Sequence, residues 1–240
     1  MQSLIVGQEP KSVTAEAYRT LRTNLQFCTR ENGIKKIVIA SAEPGEGKTV
    51  TTCNLALSMS QAGKKVLVVD CDLRKPNVHK KFGLDNDTGF ANIIMMDLDY
   101  KGVVKKIDEK LHIITAGKSP INPAELLNID YLEPLFANLA EAYDVVLIDT
   151  PPVATVTDAQ LLASVADGVV MVLSSQESHR KVCQKALQLL NNVDAKILGV
   201  VLNKVTEDSG AYYARNYYPY YGHRNHKKKR WLGRGKTETV

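Results

Sequence analysis

The chain has 240 residues, 44% of them hydrophobic and 24% charged, with a formal net charge of +5. That length suits one α/β domain with ample core, and the balance is ordinary for a soluble globular protein. No apolar run approaches the roughly 18 residues that span a bilayer and residues 1–10 have no leader-like pattern, so neither a membrane span nor a secretory signal is expected, and the four cysteines, which lack CxxC spacing, read as free thiols of a cytosolic protein.

The positive charge is not evenly spread. Residues 222–240 hold seven Lys/Arg and one Glu, and the rest of the chain is close to neutral. A basic end of this kind reads as a solvated segment, or as one that meets anionic lipid or an acidic partner.

Residues 1–13 read as irregular. Residues 14–27 follow a helical period, with Ala17, Tyr18, Leu21 and Leu25 on one side and Glu16, Arg19 and Arg22 on the other. The charged stripe is either a solvated face with weak intrahelical pairs or a subunit contact.

A strand is expected over residues 37–40. The next turn, Ala42-Glu43-Pro44-Gly45-Glu46-Gly47-Lys48-Thr49, opens a helix over residues 48–62 that stops at Gly63. Strand, Gly-rich turn ending in Gly-Lys-Thr, then helix is the context of a phosphate loop. Its amides and the helix N-terminus form an anion cradle. Lys48 reaches the β- and γ-phosphates, and the Thr49 hydroxyl can ligate Mg²⁺. Ala42 stands where the pattern usually has Gly, which is tolerable if its φ is negative.

Further strands are expected at 66–69, 111–114, 143–148, 168–173 and 197–202. Helices are expected at 123–127, 132–142, 159–166 and 178–191. This alternation predicts an α/β fold with a mostly parallel sheet wrapped on both faces, and a site at the carboxyl ends of the strands. Two strands end in acids, one at Asp70 and Asp72 and the other at Asp149. They are candidates for holding a metal, and the paired acids can also take a proton from an incoming hydroxyl. Beyond residue 207 the period stops. Tyr212, Tyr213, Tyr217, Tyr218, Tyr220 and Tyr221 crowd into ten residues, followed by the basic run 226–230. The expected units are an irregular segment 1–13, a nucleotide-binding domain 14–206, and a flexible, tyrosine-rich basic tail 207–240.

These motifs together resemble the bacterial tyrosine kinases, a P-loop family, over roughly residues 14–221. Residues 41–49 are similar to its Walker A motif, 66–76 with Asp-x-Asp-Leu-Arg-x-Pro to its Walker A′, and 147–152 to its Walker B. Glu16, Arg19 and Arg22 resemble its oligomerisation motif, and the tyrosine cluster its autophosphorylation site. The family often has Pro-Asn-Pro where this chain has Ile121-Asn122-Pro123.

The resemblance implies an ATP- and Mg²⁺-dependent protein-tyrosine kinase. Gly45, Glu46, Gly47, Lys48, Thr49 and Val50 would bind the phosphates. Thr49, Asp72 and Asp149 would hold the metal, and Lys48 would serve catalysis. Asp70 is the first choice and Asp72 the second to orient or deprotonate the tyrosine. Arg74 would steady this strand end, and Asn203 would read the adenine edge. Cys71 is a bystander or an oxidation-sensitive thiol. The resemblance also implies trans-autophosphorylation in a homo-oligomeric ring, a transmembrane activator, a cognate tyrosine phosphatase and protein tyrosine substrates, with no nucleic acid. It places the protein in the cytoplasm, recruited to the inner membrane face, in control of capsule or exopolysaccharide synthesis. The alternative is a MinD/ParA-type positioning ATPase. Those loops carry a lysine where this chain has Glu43, and an acid cannot neutralise phosphate charge there.

Overall fold

A computed structural model describes residues 4–30 and 33–206. Among these, seven strands form one sheet: β1 (Lys36–Ser41), β2 (Val66–Asp70), β3 (Lys105–Lys106), β4 (Leu111–Ile114), β5 (Val145–Asp149), β6 (Gly168–Ser174) and β7 (Ile197–Asn203). Their order is β3-β4-β2-β5-β1-β6-β7. Only the short β3 runs antiparallel to its neighbour. The P-loop α/β architecture is therefore as expected. The central strands are apolar at nearly every position because both faces are covered, so neither side of the pleat sees water.

The helix after the phosphate loop, α3 (Lys48–Gln61), is buried almost all round. It lies between the sheet and two N-terminal helices, α1 (Ile5–Gln8) and α2 (Val13–Arg30). The irregular reading of residues 1–13 is corrected for Ile5–Gln8, which form α1. Leu4 and Val6 are fully buried, and the Val6 N–H donates to Asn54 Oδ1 of α3 at 3.1 Å. Full burial of such side chains is worth about 1.5–3 kcal/mol each. One helical turn is too short to show a period, so the sequence does not announce it.

The inward face of α2 is close to the expected one. Leu25 is buried and Tyr18 and Leu21 pack against the core, but Ala15, not Ala17, is the buried alanine. Arg22 lies half-buried on this side, and its Nη1 donates to the Ser58 carbonyl in the last turn of α3 at 2.8 Å.

The remaining helices are α4 (Val78–Phe82), α5 (Phe90–Met96), α6 (Pro123–Leu126), α7 (Ile129–Ala142), α8 (Asp158–Ser164) and α9 (Arg180–Asn191). The first two were not expected, and at five and seven residues they carry too few turns for a hydrophobic period. Among the described residues, no helix is long and apolar enough to cross a membrane. The tyrosine cluster and the basic run lie outside the described residues.

Candidate active site

The phosphate loop joins β1 to α3 at the carboxyl edge of the sheet. Gly45 and Gly47 both take left-handed backbone, at φ +86° and +95°. A Cβ on Gly47 would also lie 1.9 Å from Asn203 Nδ2. Both conditions demand glycine. Ala42 is not among the positive-φ residues, so the departure from Gly costs nothing there.

Sheet register sets the carboxylates. Asp70 and Asp149 are partners on β2 and β5, both fully buried. Asp149 is the hub. One oxygen accepts from Lys48 Nζ at 2.7 Å and from Thr52 Oγ1 at 3.3 Å, and the other accepts from Thr49 Oγ1 at 2.7 Å. The Thr49 proton is thus given to Asp149, which leaves the hydroxyl lone pairs free to face a cation. Lys48 Nζ also stands 3.9 Å from Asp72 Oδ2.

Asp70 and Asp72 differ in reach. Asp70 Oδ1 accepts the Asp72 N–H at 3.2 Å, and Oδ2 accepts the N–H groups of Asn77 and Val78 at 3.1 and 3.0 Å. It therefore folds the Walker A′ turn and starts α4. Burial, then the neighbouring Asp149 charge, pushes its carboxyl up to about 7, against the pull of the Val78 N–H and Lys48. Asp72 keeps a little exposure, 8%, with Oδ1 on the Lys75 N–H at 3.0 Å. Cys71, between them, is fully buried, and burial pushes its thiol well up, away from the reactive thiolate.

Among the described residues, no three His, Cys, Asp or Glu side chains are arranged to hold a metal by themselves. A hollow of about 840 Å³ lies elsewhere, along α7, lined by Tyr100, Tyr131 and Pro134 among others. None of the loop or carboxylate residues lines it.

The model of the AAA domain family matches residues 34–201. The tyrosine-protein kinase YwqD of Bacillus subtilis is 42% identical over 203 residues, 84% of this chain and 86% of that protein. The chain belongs to the bacterial tyrosine kinases. A putative tyrosine-protein kinase CapB of Staphylococcus aureus is 38% identical, over 91% of this chain and 95% of its own length. The solved chimerical protein CapA2B2 superposes with a TM-score of 0.80 at 39% identity, over 85% of this chain and 91% of that one. A MinD of Pyrococcus horikoshii shares the fold alone, at 24% identity and a TM-score of 0.62.

The kinase brings Lys48, Thr49, Asp70, Asp72 and Asp149 to one sheet edge, as the motifs predict. Asn203 lies beside them, but its Nδ2 donates to the Glu46 carbonyl at 2.9 Å, so its amide braces the loop. Arg74 Nε and Nη2 form a fork onto the fully buried Asp158 at 3.1 and 3.3 Å. Sequence reading did not single out Thr52, Asp158, Ser178 or His179. Thr52 is one turn past Lys48 and could have been found by helical spacing. The others meet their partners only through long-range folding.

Proposed function

We propose that this tyrosine kinase transfers the γ-phosphoryl group of ATP to tyrosines of its own 212–221 cluster, between subunits of a ring. What supports this best is the placement of the Asp70–Asp72 turn beside Lys48 and Asp149, where an acceptor hydroxyl meets a phosphate cradle. Thr49, Asp72 and Asp149 fit a Mg²⁺ ion in complex with ATP, and that ion would supply charge neutralisation on the transferred group. Lys48 holds the β- and γ-phosphates. The Gly45–Val50 amides bind and orient them.

Asp72 is the acid that an incoming hydroxyl can reach, since Asp70 is fully buried and spends both oxygens on backbone N–H groups. That reverses the order expected from sequence. Asp72 takes or orients the tyrosine proton, while Asp70 positions the turn that carries it. A tyrosine pKa near 10 makes such help useful late in a loose transition state.

A transmembrane activator, a cognate phosphatase, recruitment to the inner membrane face and control of capsule or exopolysaccharide synthesis complete the reading, and the CapA2B2 likeness supports a split kinase with a partner. The experiment is to incubate purified protein, its activator segment and Mg²⁺–ATP, then map phosphate by mass spectrometry. Phosphotyrosine within 212–221 is expected. Phosphate release with no protein phosphorylation would return the chain to the positioning ATPases. Glu43 argues against those, since its carboxylate accepts the His179 N–H within the same subunit at 3.1 Å.

A further inference from the structure

Glu46 is a buried carboxylate, 2% exposed, inside a loop built to bind anions. Burying a negative charge beside a phosphate site is unfavourable unless its oxygens are hydrogen-bonded. Here they are. Oε2 accepts the Glu43 N–H at 2.9 Å, and Oε1 accepts the Ser178 hydroxyl. The same Ser178 oxygen accepts the Ser174 N–H at 2.7 Å. The Glu46 carbonyl takes Asn203 Nδ2 at 2.9 Å. Glu43 reaches the same loop at the N–H and Nδ1 of His179, each at 3.1 Å.

The phosphate loop is therefore pinned to the β6–α9 turn, residues 175–179, and to the end of β7. That turn is itself tied down. Ser175 Oγ and Gln176 Nε2 both donate to the Lys204 carbonyl at 2.8 Å, and Lys204 Nζ pairs with Glu177 Oε2 at 2.5 Å.

We propose that the Glu46 and Ser178 side chains are positioning residues for the nucleotide. They hold the amides of residues 45–49 in the phosphate-binding arrangement by locking that loop to the β6–α9 turn. Neither side chain touches the reacting atoms in this scheme, so the lock acts on binding rather than on transfer. The inference rests on the nucleotide reading of the loop and adds two side chains to it.

The test uses the full chain with Ser178→Ala, Ser178→Thr, Glu46→Gln and the Glu46→Gln/Ser178→Ala double variant. Fluorescent ADP titration gives Kd, and a kinase assay gives KM for ATP and kcat separately. Loss of a hydrogen bond to a carboxylate should weaken ADP binding and raise KM about tenfold in Ser178→Ala, with the loss falling on KM rather than kcat. Ser178→Thr keeps the hydroxyl and should bind within about twofold of wild type. The double variant should lose less than the sum of the two single losses, because both changes act on the Glu46–Ser178 contact. Wild-type Kd in Ser178→Ala, a loss on kcat alone, or additive effects would each overturn the proposal. If wild-type protein fails to bind ADP, the nucleotide reading fails instead, and the two failures are thereby distinguished.

Discussion

Asp70 and Asp149 lie side by side as register partners on β2 and β5, both without exposure to water. Only Asp149 has a cation in direct contact, Lys48 at 2.7 Å. Two neighbouring buried carboxylates cannot both ionise cheaply, so the one without the lysine carries the penalty. That is Asp70, pushed up to about 7.

The first prediction is a stability slope. The folded chain holds the Asp70 proton up to about pH 7, whereas an unfolded chain releases it near its ordinary value of 3.8. Between those values the folded state binds more protons, so stability is greatest at the acidic end and falls as pH rises towards 7. Thermal unfolding should show Tm lower by about 5–10 °C at pH 7.5 than this group alone would allow at pH 5. Asp70→Asn should flatten that part of the slope. Parallel slopes for the two proteins would mean that Asp70 ionises normally.

Much of this site was legible because parallel strands advertise themselves. Val66–Asp70 and Val145–Asp149 are apolar runs ending in an acid, and a parallel sheet delivers both ends to the same edge. The glycines of the loop are legible for a similar local reason. What stayed hidden depends on contacts far apart in the chain. Ser178 and His179 meet the loop across 132 and 136 residues. The Arg22 bond to Ser58 of another helix is not visible in the amphipathic spacing of α2, which groups Tyr18, Leu21 and Leu25 correctly but takes Ala17 in place of Ala15. The order of Asp70 and Asp72 needed three backbone N–H groups that only the folded turn supplies.

Lys48 should prove structural as well as catalytic. Lys48→Met leaves Asp149 buried without its counter-charge, and breaking such a pair costs about 3–5 kcal/mol. Urea unfolding should show this loss. Lys48→Met/Asp149→Asn should regain much of the stability, while phosphorylation stays at background. A double variant no more stable than the single one would show that Asp149 does not need the lysine.

Arg74 grips Asp158 through two nitrogens, and Asp158 is fully buried at the start of α8. A lysine cannot reproduce a two-nitrogen fork. Arg74→Lys should therefore behave much like Arg74→Ala, each lowering stability by about 1–3 kcal/mol. Because the fork ties the Walker A′ turn to the chain after Walker B, both variants should also slow phosphorylation. Wild-type melting and rate in Arg74→Lys would reduce the fork to a surface ion pair.

The three charges of the Glu16–Arg22 stripe should separate into two classes. Glu16 and Arg19 pair with each other at 2.7 Å with about a third of each side chain exposed, and such a pair adds little to a subunit's own stability. Arg19 also donates to the Pro10 carbonyl just before its own helix, whereas Arg22 ties α2 to another helix, donating to Ser58 O at the carboxyl end of α3, where a cation opposes the helix dipole. If the stripe joins subunits, Glu16→Ala and Arg19→Ala should lower the mass measured by light scattering while leaving Tm at low concentration nearly unchanged. Arg22→Ala should also lower Tm at that concentration, by an amount corresponding to about 1 kcal/mol. Equal Tm losses in all three variants would contradict the division. An unchanged mass in all three would leave the stripe as a solvated face with one internal cap.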